Sequence, residues 1–326
     1  MKYLQGVASP KPISRIGLGT WQFGSREWGY GDQYSTREAD LIVARAAELG
    51  ITVFDTAEAY GFGRSETILG QALAAHDLID TAFVATKHFP LFPIGPLVRR
   101  SAHASARRLG VSSIDLYQVH QPNPVVPDGA TMGGMRDLQD AGLVTEVGVS
   151  NYSLDRWRAA EGALGRPVLS NQVQFSLAHS EPLADLVPYA ASTGRIVIAW
   201  SPLGQGLLSA RYSASNLPTG GVRKMNPLFL EENLRRATGL LDALRDTAAT
   251  HDITPAQVAL AWLIHQPAVV AIPGASSIAQ VEANAAAADI DLTDDEVAEL
   301  TSQARAFDPL GSVDAARGLA RARLRR

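Results

Sequence analysis

The chain has 326 residues, about twice the usual single domain, which leaves two domains or one large barrel open. Hydrophobic residues make up 46% and charged residues 19%, the balance of a packed globular chain, so disorder and fibre are excluded. A formal charge of −4 excludes an overall basic field for nucleic acid or anionic lipid, and the absence of cysteine excludes disulfides, thiolate-held metals and thiol nucleophiles.

Met1–Pro12 has no apolar signal core, and no window approaches eighteen continuous apolar residues. The expectation is a soluble cytoplasmic protein with neither a membrane nor a nucleic-acid partner. Ile16–Leu18 is the first apolar run, followed by a loop rich in glycine and aromatic residues. Ser35 with Glu38 three residues on is a capping box; Ile42, Ala46 and Leu49 continue at helical spacing, and Gly50 stops the helix. Further apolar runs fall at Ile51–Phe54, Ala82–Thr86, Ile114–Val119, Leu143–Val149, Val173–Phe175, Arg195–Trp200 and Ala268–Ile272. Helical stretches lie between them, near 65–75, 95–109, 129–141, 153–163, 182–192 and 254–265.

Eight strand-like runs separated by helices predict a single α/β domain over 1–326, a closed (β/α)8 TIM barrel. A doubly wound sheet would carry a phosphate fingerprint after its first strand. Gly17-Leu-Gly19-Thr-Trp-Gln22 and Gly61-Phe-Gly63-Arg-Ser-Glu66 both lack its third glycine. No P-loop, no paired-histidine zinc motif and no nucleophile elbow is present, and no metal is expected. Two segments exceed a minimal barrel: the long connection Ser201–Glu232 after the seventh strand, and the C-terminal extension beyond Asp291. Thr293 and Glu296 cap a further helix, and 305–326 forms a tail with six Arg and two Asp, read as mobile or surface-bound.

Three consecutive predicted strands end in ionisable side chains: Asp55, Lys87 and His120. In a barrel these ends gather at one mouth, where active sites are built. Strand alternation places Asp55 with Ile51 and Val53, Lys87 with Phe83 and Ala85, and His120 with Leu116 and Gln118, on inward rows where pKa values shift most. Singly, Asp55 reads as a helix cap, His120 as a rim histidine and Tyr60 as a packed loop aromatic. Together they make a coherent set. Lys87 can lower the Tyr60 phenol toward neutrality, Asp55 can keep Lys87 charged, and His120 can hold a carbonyl oxygen near Tyr60. Such a set suits a reaction in which an alkoxide develops and is protonated, as in carbonyl reduction by hydride from a nicotinamide.

Gly50-Ile-Thr-Val-Phe-Asp55-Thr-Ala-Glu-Ala-Tyr60-Gly-Phe-Gly-Arg-Ser-Glu66 closely resembles the signature of the aldo-keto reductases. Thr86-Lys87, Asp115-Leu-Tyr-Gln-Val-His120, Gly148-Val-Ser-Asn151, Asn171-Gln172, Trp200-Ser-Pro-Leu203 and Ile272-Pro-Gly-Ala275, with Gln280 and Asn284, follow in that family's order. The pieces around Trp21 and Trp28 look most like bacterial members of the general-stress type. The resemblance implies that Tyr60 is the general acid/base, assisted by Lys87 and Asp55, with His120 orienting the carbonyl. It implies nicotinamide contacts from Ser150, Asn151, Gln172 and Trp200, and pyrophosphate contacts from Ser201, Leu203 and Gly206. It places Gly274, Ser276, Gln280 and Asn284 toward the adenosine, and Gly19, Thr20, Trp21, Asp55, Pro202, Leu208 and Ile272 along the cofactor.

NADP(H) is the cofactor this implies, with NAD(H) as the alternative, because Gly274, Ser276 and Gln280 offer no cation to the 2′-phosphate. The partner is a small-molecule carbonyl compound, and an aromatic mouth of Trp21, Trp28, Tyr60, His88, Phe89 and Tyr152 suggests an apolar one. Two other readings stay open: a cofactor-sensing binding subunit of the same fold, and a Schiff-base aldolase using Lys87. Oligomeric state is not specified by the sequence.

Overall fold

A computed structural model of the chain describes residues 1–7, 9–25, 29–31, 35–218 and 222–311, apart from the side chains of Val222 and Lys224. Trp28 and the greater part of the basic tail, from 312 onward, lie outside the described residues. Eight parallel strands run in chain order: β1 Leu18–Gly19, β2 Val53–Asp55, β3 Phe83–His88, β4 Ile114–Val119, β5 Val144–Ser150, β6 Ser170–Gln174, β7 Ile196–Trp200 and β8 Val269–Ala271. Parallel bridges Ile16–Ala271 and Gly19–Gly274 close the sheet into a (β/α)8 barrel.

Helices α1 Thr36–Glu48, α2 Arg64–Ala75, α3 Gly95–Leu109, α4 Asp128–Asp140, α5 Leu154–Leu164 and α6 Leu186–Thr193 follow the first six strands. After β7 come short 3-10 turns, then α7 Glu231–Arg236, α8 Thr238–Thr250 and α9 Pro255–His265; α10 Ile278–Ala286 and α11 Asp294–Ala306 follow β8. The predicted capping boxes at Ser35 and Thr293 are both formed.

The core has two shells, as a barrel requires. Val53, Phe83, Ala85, Leu116, Ile196, Ile198, Val270 and Ile272 fill the interior, and Ile13 from an N-terminal hairpin packs with them. Phe54, Val84, Tyr117 and Val197, on the alternate strand positions, pack outward with the helices. The inward rows therefore lead to Asp55 and Lys87 as the alternation predicts.

Beyond shifts of one or two residues at strand ends, three elements differ from the sequence reading. Strand β6 begins at Ser170, because Ser170, Asn171 and Gln172 are buried with their polar groups bonded, which an apolar pattern cannot reveal. The stretch 182–192 splits into a 3-10 turn, Glu181–Leu183, and α6, since Asp185 caps a new start at Leu186. The excess length after β7 is partly helical, with α7 opening at Glu231 and α8 following directly. Among the described residues no helix is long and apolar enough to cross a membrane.

Candidate active site

Lys87 and Asp55 meet at the carboxyl ends of β3 and β2. The Lys87 ammonium lies 2.6 Å from Asp55 Oδ1, with side-chain exposures of 1% and 3%. It also donates to the carbonyl of Thr56 at 2.8 Å and lies 3.4 Å from the Tyr60 hydroxyl. Burial by itself would lower the Lys87 pKa, but the Asp55 charge and Tyr60 outweigh it, and the amine stays protonated.

Tyr60 opens a 3-10 turn, Tyr60–Gly63, that runs into α2. Gly61, Phe62 and Gly63 all take left-handed backbone, with φ of 55°, 55° and 87°. Glycine adopts this freely, whereas a bulky residue such as Phe62 does so at a cost. Expectation and structure part at the Tyr60 phenol. Burial pushes its pKa above the ordinary tyrosine value, and the opposing Lys87 charge does not overcome this. The hydroxyl is therefore protonated through neutral pH, the state a proton donor needs.

The His120 ring stands nearly perpendicular to Tyr60, with centroids 5.7 Å apart. Burial, reinforced by the Lys87 charge, holds His120 down at about 3, so its ring is neutral at ordinary pH. A neutral imidazole beside a buried cation can give a hydrogen bond to an oxygen without adding charge.

Beyond Asp55 a chain of bonds links the amide-bearing residues. Gln172 donates to Asp55 Oδ2 at 2.7 Å, and Ser150 Oγ donates to the Gln172 carbonyl at 2.8 Å. Asn151, with φ of 61°, donates to Ser150 Oγ at 3.1 Å and accepts from the Trp200 indole at 3.1 Å. Ser201 and Gln205 also have positive φ, 53° and 55°, so three non-glycine residues in left-handed backbone follow β5 and β7 near this group. On the neighbouring side Gly19 is bridged to Gly274, where a side chain on Gly19 would meet the Ile272 carbonyl at 2.8 Å. Ser276 bonds to Gln280, and Asn284 reaches back toward Gly274 at 3.5 Å.

Some predicted residues do not join this constellation. Thr20 is wholly buried, its hydroxyl tied to the Asp55 carbonyl and to Ser65. Ile272 lies in the barrel interior and Leu208 in the outer core, and Pro202 is also buried. Tyr152 is 3% exposed, bonded through its hydroxyl to Asp128 and covered by Arg156. His88 alternates to the face opposite Lys87, buried, with Nδ1 3.2 Å from Glu58 but without hydrogen-bond alignment. Neither contributes an exposed surface to a substrate pocket. Trp21, 6.2 Å from Tyr60 between ring centroids, and Phe89, edge-on to His120 at 6.3 Å, do stand at the mouth, and both are partly exposed. Phe62 joins them as a fully exposed aromatic two residues beyond Tyr60.

Fold and mouth together define a (β/α)8 barrel whose ionisable groups gather at the carboxyl ends of its strands, the layout in which barrel enzymes place their active sites. Residues 15–305 match the model of the aldo/keto reductase family. An uncharacterized oxidoreductase of Mycobacterium bovis is 59% identical over 312 residues, covering 96% of this chain and 95% of its own. A solved aldo-keto reductase from Klebsiella pneumoniae in complex with NADPH superposes with a TM-score of 0.74 at 29% identity, covering 95% of this chain and 97% of its own. The glycerol dehydrogenase of Gluconobacter oxydans superposes with a TM-score of 0.82 at 27% identity, over 94% and 97%. The chain belongs to the aldo/keto reductase family.

Proposed function

We propose that the chain is an oxidoreductase that reduces aldehydes or ketones to alcohols, with a nicotinamide dinucleotide as hydride source and Tyr60 as proton donor. The observation that carries this reading is the buried Asp55–Lys87 pair with the Tyr60 hydroxyl 3.4 Å from the ammonium. A protonated phenol beside a fixed cation can release its proton to an alkoxide as that alkoxide forms, because Lys87 stabilises the phenolate left behind. His120, neutral and edge-on to Tyr60, would direct the carbonyl oxygen toward the phenol.

The residues present fit the cofactor. Neutral amides and a hydroxyl on Ser150, Asn151 and Gln172 suit a carboxamide, and the indole of Trp200 beside them suits a flat ring. The start of α10, capped by Ser277 and preceded by Ser276, offers backbone N–H groups suited to phosphate. When bound, the nicotinamide supplies the hydride that reaches the carbonyl carbon. NADP(H) is the proposed cofactor, supported by the NADPH-bound relative. The neutral Gly274, Ser276 and Gln280 keep NAD(H) as the alternative.

Lys87 is a poor candidate for the Schiff-base alternative, since its pKa is raised, and an amine nucleophile needs the opposite. The complete Asp55, Tyr60, Lys87 and His120 set argues against a purely sensing role. A panel of aromatic and aliphatic carbonyls, 4-nitrobenzaldehyde among them, assayed with NADPH and with NADH tests the reading. Oxidation of reduced cofactor with at least one substrate is expected; cofactor binding with no turnover across the panel would overturn it.

A further inference from the structure

Two consecutive side chains on α2 are bonded to threonines at the carboxyl ends of β1, β2 and β3. Ser65 and Glu66, in the first turn of α2, are both wholly buried. The Ser65 hydroxyl lies 2.8 Å from Thr20 Oγ1 and 2.9 Å from Thr56 Oγ1, and donates to the Thr20 carbonyl at 2.7 Å. Glu66 accepts from the Thr86 hydroxyl at 2.6 Å through one oxygen and from Arg108 Nε at 2.6 Å through the other.

The placement of those threonines is the informative point. Thr20 follows β1, Thr56 follows Asp55, and Thr86 precedes Lys87. All three are wholly buried. Thr20 donates to the Asp55 carbonyl, and the Thr56 carbonyl accepts from Lys87 Nζ. Lys87 and Thr86 are neighbours on β3, so one turns inward to the mouth while the other turns back to Glu66. Arg108 closes the far side: a Cβ on Gly63 would lie 2.7 Å from its side chain, so the guanidinium packs against the end of the Tyr60 turn. Strand position and turn position are therefore referred to the same buried carboxylate.

We propose that Glu66, with Ser65 beside it, is a positioning residue for the proton donor, fixing the Tyr60 turn to the strand ends that carry Asp55 and Lys87. The inference rests on the reading of Tyr60 as proton donor. A carboxylate in this place costs desolvation that a purely apolar contact would avoid, and its two partners sit on different elements, β3 and α3. Loosening either bond frees the turn to move against the 3.4 Å separation of Tyr60 and Lys87. Misplacing a reacting group by about 1 Å can cost on the order of a hundredfold in rate.

The test uses Glu66→Gln and Thr86→Val in the full chain, with Thr86→Ser as the variant that keeps the hydroxyl. Two quantities are read: kcat for an aldehyde per cofactor-binding site, with sites counted by cofactor titration, and the [13Cζ]tyrosine NMR resonance of Tyr60, assigned by its loss in Tyr60→Phe. Glu66→Gln and Thr86→Val are expected to lower kcat per site about tenfold or more and to move the Tyr60 resonance, with the cofactor Kd held within about twofold; Thr86→Ser restores both. A fall in melting temperature with kcat per site and the Tyr60 resonance unchanged would overturn the proposal. Should Glu66→Gln not fold, Thr86→Val against Thr86→Ser decides it. If the wild-type protein reduces no carbonyl, the reductase reading fails, while the Tyr60 resonance still shows whether Glu66 holds the turn.

Discussion

Removing the Lys87 ammonium while leaving Asp55 in place should unfold the protein more readily than almost any surface change. In Lys87→Met the Asp55 carboxylate keeps its Gln172 bond at 2.7 Å and a longer one from Gln118 at 3.5 Å, but loses the ammonium 2.6 Å away that it is paired with. At 2.6 Å the pair attraction is about 6 kcal/mol with an effective dielectric of about 20. The desolvation of both groups offsets much of that, and breaking such a buried pair from one side costs about 3–5 kcal/mol. For a chain of this length the unfolding entropy is about 0.7 kcal/mol per degree, so the melting temperature should fall about 4–7 °C. The double variant Asp55→Asn/Lys87→Met removes the orphaned charge, while the Asn carbonyl can still accept from Gln172. It should recover about half of the loss without recovering turnover, since Tyr60 still lacks its cation. Differential scanning calorimetry on the three proteins measures this. A double variant no more stable than Lys87→Met would refute the claim that the pair, rather than the lysine's packing, is what the site stabilises.

Three further outcomes follow from the same geometry. His120 is held at about 3, below its ordinary value of 6.5, so the unfolded chain takes up a proton before the folded one does as pH falls. Its contribution is complete above pH 6.5 and declines toward pH 3, reaching a loss of about 2 kcal/mol near pH 5; urea titrations of wild type and His120→Asn at pH 7 and 5 should show the variant losing less, and equal losses would contradict it. Gly63→Ala forces a side chain into φ of 87° and against Arg108 at 2.7 Å, so it should destabilise by about 1–3 kcal/mol in thermal melts, whereas a neutral result would mean the turn is free to relax. Ser276→Arg should tighten NADPH about tenfold by pairing with its 2′-phosphate and leave NADH unaffected, as read by tryptophan fluorescence; equal effects on both would remove Ser276 from the adenosine end.

How much of this was legible in the sequence depends on what kind of residue carries the information. Asp55, Lys87 and His120 stand out because each terminates an apolar run, and a parallel barrel turns three strand ends into one place. The closed fold is legible for the same reason, since eight runs alternate with helices. What stayed hidden is polar and buried. Asn171-Gln172 is legible as a motif, but the apolar pattern gives no sign that Ser170, Asn171 and Gln172 belong to a strand with their side chains buried and bonded. Ser65 and Glu66 look like an ordinary helix start, because their bonds to Thr20 and Thr86 span 45 and 20 residues of chain and only the fold brings them together. Which aromatic rings are buried is not legible in residue type either. Tyr152 and His88 have the rings of a pocket lining, yet each is buried against a carboxylate, Asp128 and Glu58. The sign of the Tyr60 shift was not legible either, since it is a contest between burial and the Lys87 charge that only geometry decides.

The central claim is that the Tyr60 hydroxyl delivers the proton during carbonyl reduction. Tyr60→Phe removes that oxygen and keeps the ring beside Trp21 and His120. Single-turnover reduction of 4-nitrobenzaldehyde by the cofactor-loaded variant should fall by about a hundredfold to ten-thousandfold, the usual contribution of a positioned acid, with the cofactor Kd unchanged. Turnover at the wild-type rate in Tyr60→Phe would contradict the account.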